Sequence, residues 1–140
     1  MYFKIGLLAL LLSNIAPKIN NMYATPPSHK ATCIAYLEKY AAKDLKGFAD
    51  LFADDIVLRD WKIRVVGKEL AVSETQKNFK NAESLSIDIL HLHESENTVA
   101  AELKIVVNNT EVLYVVDIIT FNDSGKITAI RAYLGRGDEE

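Results

Sequence analysis

The 140-residue chain has a single cysteine. That excludes an internal disulfide and any structural zinc site built on several thiolates. It has no basic excess: 16 lysines and arginines stand against 19 aspartates and glutamates, for a formal net charge of -3. A nucleic-acid binder needs a basic face, and this balance argues against one. No apolar run reaches the roughly 20 residues that a membrane-spanning helix needs. Fixed-period repeats and low-complexity tracts are absent as well, which excludes solenoids and compositional linkers. What remains is ordinary globular material, 49% hydrophobic and 25% charged, in a length that suits one domain.

The first residues read as a targeting segment. Lys4 precedes an unbroken apolar stretch, Ile5 to Leu12, which Ser13, Asn14 and Pro17 end. The stretch is too short to span a bilayer and fits the apolar region of a secretory signal peptide, with Ala16 and Ala24 as cleavage positions. No lipoprotein signal precedes Cys33. The expected organisation is a leader over 1–24, a linker over 25–30, one domain over 31–135 and an acidic tail over 136–140. The expected location is exported, periplasmic or secreted, with no membrane association once the leader is removed.

Ser28 is placed as the N-cap of a helix running to about Lys43, with Ala31, Ile34, Ala35, Leu37 and Ala41 near helical spacing. Asp44 caps a second, short helix whose apolar stripe is Leu45, Phe48, Leu51 and Phe52. From Ile56 the period becomes two, placing Ile56, Leu58 and Asp60 on one strand face and Val57, Arg59, Trp61 and Ile63 on the other. Gly67 opens a third helix to about Ala82. Four strands follow: Leu85–His93, Thr98–Val107, Glu111–Phe121 and Lys126–Leu134, with turns at Asn108-Asn109 and Asn122-Asp123-Ser124-Gly125. Helices first and strands last make an α+β fold, an antiparallel sheet covered on one side by helices.

Asp117 is the residue most out of place. Its strand-face neighbours are Leu113, Val115, Ile119 and Phe121, and its flanks are Val116 and Ile118. An ionised carboxylate in such a stripe is costly, so Asp117 needs a partner or must keep its proton, in which case it becomes a hydrogen-bond donor. Asp60 repeats the pattern more weakly, after Ile56 and Leu58. Tyr36 and Tyr40 lie one turn apart on the first helix.

From Cys33 to Tyr133 the chain resembles ketosteroid isomerase and the wider group with the nuclear-transport-factor-2-like (NTF2-like) fold, including SnoaL-like proteins. The motifs are Phe52-Ala53-Asp54-Asp55-Ile56-Val57-Leu58-Arg59-Asp60, then Val116-Asp117-Ile118-Ile119-Thr120-Phe121 with Gly125-Lys126-Ile127, and Ala132-Tyr133. The resemblance implies a cone of about three N-terminal helices on a curved, mainly antiparallel sheet. It also assigns roles: Asp60 the general base, Tyr36 an oxyanion donor eight residues before Asp44, and Asp117 a second, protonated oxyanion donor. Ketosteroid isomerase is the known case of such a neutral catalytic aspartic acid. The implied reaction moves a proton next to a carbonyl of a hydrophobic small molecule, with Trp61, Phe52, Phe79, Val115 and Ile119 lining the pocket. It needs neither cofactor nor metal, and the family's habit implies a homodimer. The chain departs from the isomerase where supporting tyrosines are replaced at Phe52 and near Thr75, where Trp61 stands in place of a proline, and in a shorter segment from Asp60 to Gly67.

Other readings stay open: a non-catalytic binder of a hydrophobic molecule, a dimerisation module, or a polyketide cyclase or dehydratase reusing the same base. His91 and His93 point one way from a strand, and His29 or Glu94 could join them around a metal, but exposed imidazoles are the simpler reading. Asn108-Asn109-Thr110 and Asn122-Asp123-Ser124 are glycosylation sequons lying in turns. Cys33 reads as a small core residue.

Overall fold

A computed structural model describes residues 25 and 27–139. The predicted leader and its cleavage positions lie outside the described residues. The elements in chain order are α1 (His29–Ala41), α2 (Leu45–Ala49), β1 (Phe52–Arg59), β2 (Arg64–Val66), α3 (Lys68–Asn81), β3 (Leu85–Ser95), β4 (Thr98–Val107), β5 (Glu111–Phe121) and β6 (Ile127–Leu134).

Local chemistry sets the boundaries. Ser28 is extended, and its hydroxyl oxygen accepts from the Ala31 amide at 3.1 Å, satisfying one orphan donor of α1. The helix therefore starts at His29, inside the stretch read as linker. Asp44 caps α2 in the same way, accepting from the Gly47 amide at 3.0 Å. Gly67 leads into α3 with φ +98°, a conformation that a side chain resists. In the β5–β6 turn, Asn122 Oδ1 accepts from the Ser124 and Lys126 amides at 3.0 Å each, and Gly125 takes φ +77°.

The strands form one six-stranded sheet in the order β2-β1-β6-β5-β4-β3. Every pairing is antiparallel except β1 with β6. Two sequence readings change here. Phe52 and Leu51 do not extend the stripe of α2; β1 begins at Phe52, four residues before Ile56, and carries a register shift between Phe52 and Val57. The first strand ends at Arg59 rather than running on to Ile63, and after a turn Arg64–Val66 pairs back on it as an edge strand. Three residues are too few to display a period. β3 also runs two residues beyond His93, with a bulge between Ile89 and His91.

All three helices cover one face. Cys33, Tyr36 and Leu37 of α1, Phe48 of α2 and Ala71 of α3 are buried in one core with Phe52, Ile56, Val99, Ala101, Leu103, Ile119, Phe121, Ile127 and Ile130 of the sheet. The other face of the sheet is open, and on it Val66, Val116 and Tyr133 are exposed. None of the described helices is long and apolar enough to cross a membrane.

Candidate active site

Strand alternation decides where Asp117 points. On β5, Val115, Asp117, Ile119 and Phe121 are buried, while Val116 between them is exposed. Asp117 pairs in register with Ala101 of β4 and Ala132 of β6, so its side chain rises between two methyl groups. It is 7% exposed and, among the described residues, has no hydrogen-bond or ion-pair partner. No buried side-chain oxygen or nitrogen among them is both sealed off and unpartnered, so the carboxyl reaches accessible space. Burial pushes its pKa up from 3.8 to about 7.

Above it lies α1. Cys33, Tyr36 and Tyr40 fall at i, i+3 and i+7, one stripe of the helix. The charge of Asp117 acts on all three. Burial first, then Asp117, raises the Cys33 thiol to about 12, which makes it inert as a nucleophile. Tyr36 is pushed well above the phenol range by burial, then by Asp117, Tyr40 and Cys33, and so stays a hydroxyl donor. Its ring packs 5.7 Å from Phe48 and 6.1 Å from Phe52. Like Asp117, its hydroxyl has no protein partner among the described residues.

Asp60 sits one residue past the end of β1, half-buried in the turn to β2 rather than on the strand. Its Oδ1 accepts from the Lys62 and Ile63 amides at 2.7 Å each, and its own amide donates to the Ile63 carbonyl at 3.0 Å. These bonds hold the carboxylate in place and leave Oδ2 without a protein donor among the described residues. The link to the other two residues is Tyr40. Burial raises its pKa, the Asn78 hydrogen bond lowers it, and the charges of Asp117 and Asp60 both raise it. Asn78 Nδ2 of α3 donates to the Tyr40 hydroxyl oxygen at 3.3 Å. The Asp117 charge thus reaches both Tyr36 and Tyr40, and the Asp60 charge reaches Tyr40.

Tyr40 and Asn78 were missed as site residues by sequence reasoning. The signal for Tyr40 was its spacing from Tyr36; nothing in the sequence ties it to Asn78. The positions that replace the isomerase tyrosines offer no substitute network. Phe52 is buried without a hydroxyl, and Thr75 donates to the Ala71 carbonyl of its own helix at 2.9 Å. Of the predicted lining residues, Phe52 and Phe79 pack into the aromatic cluster around Phe48, Val115 and Ile119 are buried inner-face residues of β5, and Trp61 is 44% exposed in the turn beside Asp60. His29 stacks on Phe121 at 4.6 Å and pairs with Glu94, His91 pairs with Glu102 at 2.7 Å, and the His91 and His93 rings lie 6.3 Å apart.

A model of the SnoaL-like domain family matches residues 34–130. No curated protein matches the chain. Among solved structures, it is similar to an NTF2-like protein of unknown function from Cytophaga hutchinsonii (12% identity, 79% of this chain and 93% of that one, TM-score 0.68). It is similar also to a protein assigned as a ketosteroid isomerase from Kribbella flavida (16% identity, 80% and 81%, TM-score 0.66). A third is the epoxide hydrolase/cyclase-like enzyme SalBIII of pyran ring formation in the polyether salinomycin (21% identity, 76% and 90%, TM-score 0.67). At such identities the likeness shows the fold, which is NTF2-like, with helices on a mostly antiparallel sheet that does not close. With the family model spanning most of its length, the chain belongs to the SnoaL-like domain family.

Proposed function

We propose that this protein is an isomerase of the ketosteroid-isomerase type, moving a proton next to the carbonyl of a hydrophobic small molecule. The observation that carries the reading is the buried, unpartnered Asp117 carboxyl, whose charge reaches the buried Tyr36 hydroxyl, while the charge of a second carboxylate, Asp60, reaches Tyr40 on the same helix stripe. In this reading Asp60 takes the proton from the carbon beside the carbonyl on Oδ2. The C–H electron pair moves into the conjugated system and negative charge collects on the carbonyl oxygen. Tyr36 and protonated Asp117 donate hydrogen bonds to that oxygen. Asp60 then returns the proton two carbons away, so the substrate is isomerised with no net exchange of atoms. Loss of one oxyanion donor typically costs about 10²–10³ in rate.

Tyr40 is a positioning residue, held by Asn78 and set between the two acids. In this reading Trp61, exposed in the turn beside Asp60, covers the entrance, and Phe52, Phe79, Val115 and Ile119 supply the apolar wall. The close ring packing around Phe48 favours a second reading, in which the acid–tyrosine pair holds a small carbonyl compound without turnover. Export by the apolar leader and pairing of two copies complete the proposal; secretion and light-scattering mass check them.

The experiment is a spectrophotometric assay with a β,γ-unsaturated 3-ketosteroid, following appearance of the conjugated enone. The expected result is a rate well above buffer that falls by about 10²–10⁴ in Asp60→Asn. Because Asp117 donates only when protonated, the rate should decline as pH rises through about 7. Binding of the ketone with no turnover in a folded protein would overturn the isomerase and leave the binder.

A further inference from the structure

We propose that the outer face of the sheet carries a second binding site, for a molecule with two linked oxyanion groups of the diphosphate class, held by Arg59, Arg64 and Arg131. The chain contains four arginines, and three of them line one groove of about 550 Å³ with Val57, Thr120 and Ala129. Register puts them there. Arg59 of β1 is directly opposite Arg64 of β2 on one side and directly opposite Arg131 of β6 on the other. Three guanidinium groups therefore stand side by side across three adjacent strands, on the face away from the helices and from Asp117.

Like charges directly opposite one another in a sheet are destabilising. Nothing in the fold relieves them: no ion pair and no side-chain hydrogen bond among the described residues involves an arginine. The lysines, by contrast, include Lys39, Lys77 and Lys104 in ion pairs. A row of unneutralised guanidinium groups over an apolar floor, in a chain whose net charge is -3, is an arrangement that an anion would stabilise.

The size of the anion follows from the spacing. Neighbouring strands lie about 4.8 Å apart, so the three side chains are rooted across about 10 Å. One tetrahedral oxyanion can engage two forks; two linked ones reach all three. Arginine suits this task because its planar fork binds oxyanions in bidentate fashion, which a lysine ammonium does not. The Thr120 hydroxyl, 3.3 Å from that of Thr98, adds a donor at the rim, and Val57 and Ala129 offer contact for an apolar body attached to the anion.

The test is calorimetric titration of the purified protein with inorganic pyrophosphate at low salt, with orthophosphate and citrate as parallel arms. The expected result is one pyrophosphate per chain, bound about tenfold or more tighter than orthophosphate and weakened about tenfold or more by each of Arg59→Gln, Arg64→Gln and Arg131→Gln. Lys104→Gln, on the same face but outside the groove, should leave binding unchanged. Amide chemical-shift changes at Thr120, Ala129 and Arg131 in the unsubstituted protein give the same answer without relying on variants. Equal affinity in the arginine variants, or shifts elsewhere, overturns the proposal. Tighter binding of citrate overturns the diphosphate class. A change of light-scattering mass in the variants with pyrophosphate binding intact means that a second copy covers the groove, and the proposal falls.

Discussion

The two faces of the sheet handle uncompensated charge in opposite ways. On the inner face Asp117 has no cationic partner, and burial raises its pKa to about 7, so that the carboxyl can retain its proton near neutrality. On the outer face Arg59, Arg64 and Arg131 have no anionic partner either, but they are exposed and line an open groove. A guanidinium cannot lose its proton in a protein, so water must carry the charge that a buried acid can discard. The difference is one of solvation rather than residue type: the same strand, β5, contributes Asp117 to the first environment and Thr120 to the second.

The largest expected contrast comes from packing. Phe48→Ala opens a hole among Tyr36, Phe52 and Phe79 and should destabilise by about 3–5 kcal/mol in urea denaturation. Val116→Ala, on the exposed face, should stay within about 0.5 kcal/mol. Equal effects would erase the distinction between the faces.

The next contrast is in pH. Asp117 has a folded pKa of about 7 against 3.8 unfolded, so between these values the native state binds more protons than the unfolded one. Its contribution to stability is fully present below about pH 4, falls as pH rises through the 4–7 window and is lost above about 7. A shift of this size corresponds to roughly 4 kcal/mol across the window. Asp117→Asn should flatten that slope and leave the variant the more stable protein at pH 8. A wild-type stability curve without decline in this window would remove the basis for the inner-face half of the comparison.

The smallest effect belongs to the arginines. Arg131→Gln relieves one like-charge pair and should raise stability by about 0.5 kcal/mol at low salt. The gain should vanish near 1 M salt, where the screening length is about 3 Å. Its persistence at high salt would show that the outer-face effect is not electrostatic.

Much of the inner site was legible because alternation is a local property. Leu113, Val115, Ile119 and Phe121 around Asp117 place an acid in an apolar stripe whichever strands flank it, and the structure buries it as that pattern requires. Tyr36 was legible only through resemblance, since a tyrosine on an amphipathic helix looks like any other. Tyr40 meeting Asn78 was not legible, because the contact joins α1 to α3 and depends on how the two helices lie on the sheet. The arginine row was invisible for the same reason: Arg131 reaches Arg59 only through the one parallel pairing in the sheet.

The sequence by itself determined the three helices and the four later strands, their caps and turns, the α+β class and the face on which Asp117 lies, because hydrophobic period and capping act over a few residues. Tertiary structure alone decided that Asp60 sits in a turn rather than on a strand, that α1 brings Tyr36 and Tyr40 to Asp117, and that three arginines share a groove. Those outcomes depend on strand order and register, which bring together residues far apart in the chain and have no local signature.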